Sequence, residues 1–156
     1  SESSLGYLFP KGPPVSREQM KKYLTKVKLP VRTSNGKKYI YLYVHKKLKG
    51  RIKKCFKEMY DAGFRVRKSD TGSYNWRMMR TVKVRSHHSY GCVVDINWRA
   101  NPMGMISQIG HCAYRPGKNR YSVTDEVVEI WKKHGFSWGG DWTEKKDYMH
   151  FTFTNN

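Results

Sequence analysis

Acidic residues are scarce in this chain: 12 Asp and Glu stand against 31 Lys and Arg, a formal net charge of +19. A domain so strongly charged repels itself, and a polyanionic partner is the usual reason to carry such a surface. Long apolar runs are missing too; none approaches the roughly 20 residues that a helix needs to cross a bilayer, so no membrane-spanning helix is expected. Cysteine is limited to Cys55, Cys92 and Cys112, odd in number and without a C-x-x-C pair. Neither a disulfide framework nor a cysteine zinc knuckle is therefore encoded, and buried thiols are expected. No charged-then-apolar leader precedes the opening Ser-Glu-Ser-Ser, which lacks methionine, so the chain reads as a trimmed or processed product, with room for an export signal, anchor or further domain upstream.

What is present is enough for one ordinary domain: 156 residues, able to bury a core without a metal or disulfides merely to fold. Internal repeats are not seen. The charge is uneven, with 16 basic and 3 acidic residues over 1–60 (net +13) against 15 and 9 over 61–156 (net +6). Residues 1–37 read as a basic lead-in with a short helix, and residues 38–156 as the main domain.

Gly6, Pro10, Gly12, Pro13 and Pro14 predict an irregular start. Ser16 is placed to cap a helix running to about Val27, stopped by Leu29-Pro30. Tyr39 to Val44 predicts a strand. Leu48, Ile52, Cys55, Phe56 and Met59 fall at helical spacing with lysines on the other faces and Gly63 as a stop. Phe64 to Val66 reads as a short strand, Cys92 to Ile96 as a buried strand, and Asn97 to Arg120 as a long loop of the kind that walls functional sites. A second helix follows, capped at Ser122 or Thr124 and ended by Gly135. Trp138 to Trp142 is a turn, and Met149 to Thr154 a final strand, placing His150 and Asp95 on neighbouring strands.

Two stretches carry candidate chemistry, Ser86-His87-His88-Ser89-Tyr90-Gly91-Cys92-Val93-Val94-Asp95 and Asp147-Tyr148-Met149-His150-Phe151. A catalytic zinc takes three protein ligands and keeps a fourth position open. His88, Asp95 and His150 would fill the three, leaving Asp147 to handle a proton. On the residues alone, ordinary polar groups in a tyrosine-rich domain are the commoner explanation of such spacing. His45, His111 and His134 read as structural histidines.

The run Ser86-x-His88-x-x-Gly91-x-Val93-x-Asp95 resembles the S-x-H-x-x-G-x-A-x-D signature of the bacterial zinc peptidases that include D-alanyl-D-alanine carboxypeptidases and L-alanyl-D-glutamate endopeptidases. Asp147-x-x-His150-Phe151 is similar to that family's D/E-x-x-H-F element. Trp138-Gly139-Gly140-Asp141-Trp142 is similar to a run upstream of the last ligand in the endopeptidase-type members, and Gly72 to Arg77 to a segment that delivers a catalytic arginine. The four elements stand in the family's order over roughly 38–153. Val93 departs from the usual alanine, and His87 adds a second imidazole beside the one that the motif register selects, His88.

The resemblance implies an α+β fold with a small antiparallel sheet carrying one Zn2+ on His88, Asp95 and His150, flanked by helices. It implies Asp147 as general acid/base and Arg77 as the charge facing the developing oxyanion. Ser86, Tyr90 and Trp142 become candidate substrate contacts, and Asp141 a candidate support for a ligand histidine. The implied activity is hydrolysis of peptidoglycan stem peptides outside the cytoplasm, by a wall-associated or secreted enzyme or a phage-derived lysin. Aspartate at 147 and the Trp138 to Trp142 run favour the L-alanyl-D-glutamate endopeptidase; a D-alanyl-D-alanine carboxypeptidase is the alternative. The basic N-terminal half would suit anionic wall polymers. A non-catalytic module binding the wall or nucleic acid is the rival class, and it leaves the ordered motifs unexplained.

Overall fold

The computed structural model of the chain describes residues 2–80, 82–105 and 113–156. Its elements in order are helix α1 (Glu2–Leu8), helix α2 (Arg17–Met20), strands β1 (Leu24–Thr33) and β2 (Gly36–His45), helix α3 (Lys49–Asp61), strands β3 (Val93–Asp95) and β4 (Met103–Met105), helix α4 (Asp125–Lys133), and strands β5 (Ser137–Trp138), β6 (Lys145–Asp147) and β7 (His150–Thr152). The expected α+β class is borne out.

Strands β1 and β2 form a hairpin of ten antiparallel pairs, from Leu24 opposite His45 to Thr33 opposite Gly36. This corrects the helix expected to reach Val27: Ser16 does cap a helix, its Oγ accepting from Gln19 N at 3.1 Å, but that helix is one turn long and tightens into a 3-10 turn ending at Tyr23. From there the sequence alternates. Val27, Leu29 and Val31 face inward and Lys26 and Lys28 outward, a period of two that suits a strand with one buried face. Pro30 is tolerated because both strands of a two-stranded ribbon are edges. The first dozen residues are likewise not irregular, since α1 packs Leu8 into the core, followed by Phe9.

The helix predicted from Leu48 to Met59 is found as α3, with Ile52, Cys55, Phe56 and Met59 buried against the inner face of the hairpin. The helix after Thr124 is α4; Thr124 Oγ1 accepts from Val127 N at 3.3 Å, and Val127, Val128, Ile130 and Trp131 are buried. A large apolar side chain buried so fully contributes about 1.5–3 kcal/mol. Phe64 to Val66 makes only an isolated bridge, Arg32 to Arg65. Cys55 and Cys92 are free and buried thiols; Cys112 and His111 lie outside the described residues.

The central sheet has the order β3-β7-β5, antiparallel throughout. Gly72 bridges the other edge of β3 through its amide and carbonyl to Asp95, at 2.9 and 2.8 Å. Strand β4 pairs β6, with Met103 opposite Asp147. Trp131 on α4 stacks on Phe151 of β7, centroids 4.9 Å apart, which holds the opposite face of β7 against the core.

His45, at the end of β2, ties these parts together. Its Nε2 donates to the Leu8 carbonyl at 2.9 Å and its Nδ1 accepts from Lys47 N at 3.0 Å, while its backbone amide donates to the Gly91 carbonyl at 2.8 Å. Burial, helped by Lys47 and Lys46 and opposed by the Leu8 carbonyl, lowers its pKa from 6.5 to about 4. The folded state thus resists a proton that the unfolded chain accepts, so this stability is complete above pH 6.5 and is lost as pH falls toward 4. We expect urea unfolding to show a loss of up to about 3 kcal/mol across that window, and a shallower pH slope in His45→Asn. Parallel slopes for the two proteins would contradict the assignment.

Candidate metal centre

The turn Ser86 to Gly91 sets the first ligand. Ser86 Oγ accepts from His88 N at 3.3 Å, starting a 3-10 turn over His87–Tyr90 that ends on Gly91 in the left-handed conformation, φ 63°. A side chain at 91 would be strained, and its Cβ would stand 2.7 Å from His45 N. Glycine is therefore needed twice over, for φ and for the close approach of the hairpin.

His88 Nδ1 lies 2.8 Å from the Ser73 carbonyl. A carbonyl only accepts, so Nδ1 carries the proton and Nε2 is left with its lone pair, the arrangement that orients a ligating imidazole. That Nε2 lies 3.1 Å from Asp95 Oδ2, and the other carboxylate oxygen, Oδ1, lies 3.2 Å from His150 Nδ1. The register of β3 on β7 places Asp95 opposite His150. One ligand atom from each of the three residues falls within 4.8 Å of the other two.

Asp147 completes the group. Its Oδ2 is 3.5 Å from His150 Nδ1, and its Oδ1 is buried without a hydrogen-bond partner. Gly139 explains how it fits: a Cβ there would collide with the Asp147 backbone carbonyl and lie 2.9 Å from the Asp147 Cβ. Gly140 packs under the Trp138 ring in the same way, and Trp138 Nε1 donates to the Tyr148 carbonyl at 2.8 Å. The two glycines of the Trp138 to Trp142 run thus bring that segment against the chain just before His150.

Electrostatics separate the two carboxylates. Burial works to raise the pKa of Asp95, but the His150 imidazole, with His88 on the other side, overrides it and holds it well below the usual carboxylate range. For Asp147 burial prevails; aided by the charge of Asp95 and opposed by the two histidines, it raises the pKa to about 6. Burial acts to lower His150, and Asp95 and Asp147 together raise it instead. The surroundings thus favour ionisation of Asp95 and bring the pKa of its neighbour Asp147 toward neutrality.

The donor set fits zinc. Two imidazoles and a carboxylate are a common catalytic set, and one ligand atom of each lies within 4.8 Å of the other two. His150 Nε2, buried and without a hydrogen-bond partner, lies on the ring edge away from Asp95.

The other candidate residues fall in varied places. Arg77 is joined to the ligand turn through its backbone: its N donates to Ser89 Oγ at 2.9 Å and its carbonyl accepts from Ser86 N at 3.0 Å. Its Nη1 donates to the Met78 carbonyl, and its Nε is buried and unpaired. Ser86 shapes the turn. Tyr90 is buried against Phe9, Trp76 and His87, a core position, whereas the half-buried Trp142 ring lies 5.3 Å from His150. Asp141 pairs with Lys132 at 2.8 Å on the surface, not with a ligand histidine. His87 turns away to Thr154 Oγ1, and His134 pairs with Glu58. The Ser73 carbonyl was not legible in the sequence, because a backbone acceptor has no residue signature.

The geometry brings together side chains that could hold a metal ion, and comparison with known proteins gives that cluster a family context. Residues 80–153 match the family model described as D-alanyl-D-alanine carboxypeptidase, so the family resemblance read from the motifs is borne out; His88, Asp95, Asp147 and His150 lie within the matched segment, and Arg77 lies just before it. The chain is also 37% identical over 71 residues to the peptidoglycan L-alanyl-D-glutamate endopeptidase CwlK of Bacillus subtilis (strain 168), a match covering 46% of this chain and 41% of that protein. The chain thus spans under half the length of this relative.

We expect purified protein loaded with zinc to hold one ion per chain and to melt at higher temperature, since a ligand at a hundred times its Kd stabilises by about 2.7 kcal/mol. His88→Ala or His150→Ala is expected to abolish both effects, and Asp147→Ala to retain them. A melting temperature indifferent to zinc in the parent protein would rule the site out.

Proposed function

We propose that this chain is a zinc peptidase that hydrolyses peptidoglycan stem peptides at the L-alanyl-D-glutamate bond. The observation that carries the reading is the meeting of His88, Asp95 and His150 beside a buried carboxyl, Asp147, with a pKa of about 6. The likeness to an L-alanyl-D-glutamate endopeptidase supports the choice of bond, and the Trp138 to Trp142 run agrees with it. Such a substrate lies outside the cytoplasm, and there we place the enzyme's action; among the described residues no helix is long and apolar enough to cross a membrane.

Zinc held by His88, Asp95 and His150 would polarise the scissile carbonyl and acidify a water. Asp147 accepts the proton as that water adds to the carbonyl carbon, then gives it to the amine as the C–N bond breaks, so the carboxylate is regenerated each turn. A carboxyl with a pKa of about 6 suits both transfers near neutral pH. Ser73 keeps His88 in the ligating tautomer. Arg77, anchored to the ligand turn and with its Nε unpaired, supplies positive charge toward the oxygen of the tetrahedral intermediate. Trp142, against His150, lines the substrate side.

Asp147→Asn is expected to cut turnover by about 10²–10⁴-fold with zinc content unchanged, and Arg77→Met by about 10²–10³-fold. Digestion of defined muropeptides, with product masses measured, checks the bond. Release of free D-alanine alone would replace the endopeptidase assignment with a carboxypeptidase one.

A further inference from the structure

The metal site uses none of the basic residues that dominate the first third of the chain. Between Glu18 and Glu58 there is no acidic residue, while 14 lysines and arginines occur. The hairpin sorts part of this charge onto one face. Val27, Leu29, Val31, Ile40, Leu42 and Val44 are buried on its inner side; Lys26, Lys28, Tyr39, Tyr41 and Tyr43 are exposed on the outer.

The outer tyrosines and lysines are paired. Lys28 Nζ lies 4.4 Å from the Tyr39 ring centroid, Lys26 Nζ 5.0 Å from Tyr41, and Lys37 Nζ 5.5 Å from Tyr39 and 5.2 Å from Tyr60. Among the described residues no carboxylate pairs with any of the three. An aromatic face attracts an ammonium, so the rings hold flexible lysines in place and less freedom is lost when an anion arrives. The strand repeat spaces neighbouring cations by about 7 Å.

We propose that this outer face docks a phosphodiester-linked polyanion of the bacterial wall, an inference that rests on the wall-peptidase reading. The charge is complementary over the whole ribbon, and the polymer needs ammonium groups, not open rings. Single-stranded nucleic acid is the poorer fit, because base stacking needs free aromatic faces and here cations cover two of the three outer rings. The His45 to Gly91 hydrogen bond joins the hairpin to the turn that carries His88, so a docked polymer would hold the enzyme against its substrate.

The test compares two charge-matched triple variants of the full chain, loaded with zinc: Lys26→Gln/Lys28→Gln/Lys37→Gln on the hairpin, and Lys49→Gln/Lys53→Gln/Lys54→Gln on α3. Binding is measured against purified walls, walls stripped of phosphodiester polymer, poly(glycerol phosphate) and single-stranded DNA, over a range of salt. The hairpin triple is expected to weaken wall binding at least tenfold and to lower the slope of log affinity on log salt by about 2, at roughly 0.7 per lost phosphate contact. The α3 triple is expected to change affinity under threefold, and stripped walls to bind as weakly as the hairpin triple does. Equal effects of the two triples, undiminished binding to stripped walls, or tighter binding to DNA than to poly(glycerol phosphate) would each overturn the proposal. Hydrolysis of a soluble stem peptide is read in parallel. The hairpin triple should retain it, and its absence from the parent protein would strike at the peptidase reading and leave the binding result to stand by itself.

Discussion

The antiparallel pairing of β3 with β7 is the constraint on which the candidate site depends. It sets Asp95 directly opposite His150, and with strand neighbours about 5 Å apart the two side chains must share one small volume. A slip of one residue in β7 would turn His150 to the other face of the sheet, away from Asp95. Phe151 guards against that slip, because its ring belongs against Trp131 in the core and cannot exchange places with a polar neighbour.

Everything else converges on that pair. The Gly72 bridge extends the sheet beyond β3 and brings Ser73 within reach of His88. The Ser86-capped turn delivers His88 itself, and Gly91 lets the hairpin approach closely enough for His45 to bond to it. On the far side, Gly139 admits Asp147. The N-terminal segment is thus structurally engaged with the ligand turn, although none of its residues lies in the cluster.

Function divides along the same lines as charge. The candidate metal centre is buried and its two carboxyls are driven apart in pKa by their surroundings, one by imidazoles and the other by burial. The cationic surface sits on a separate ribbon. On the proposed reading, keeping the two apart means that polymer binding need not perturb Asp147.

Much of the site was legible in the chain. His88, Asp95, Asp147 and His150 stand in motifs whose spacing depends on local geometry, a capped turn ending in glycine and a strand, so residue order alone pointed to them. Helices α3 and α4 were legible because apolar side chains recur at helical period over several turns. The start was not: the short α1 has no clear period, and Ser16 to Pro30 carries a good cap followed by lysines that suit a helix as well as the outer face of a strand. Only pairing with β2, joined to β1 by the two residues 34 and 35, decided for the strand, since ten ladder pairs outweigh weak local preference. Composition and motif thus determined the candidate ligands, the net charge and the main helices. The tertiary structure decided the tautomer of His88, the raised pKa of Asp147, the core role of Tyr90 and the surface role of Asp141, because each depends on which distant groups burial brings into contact.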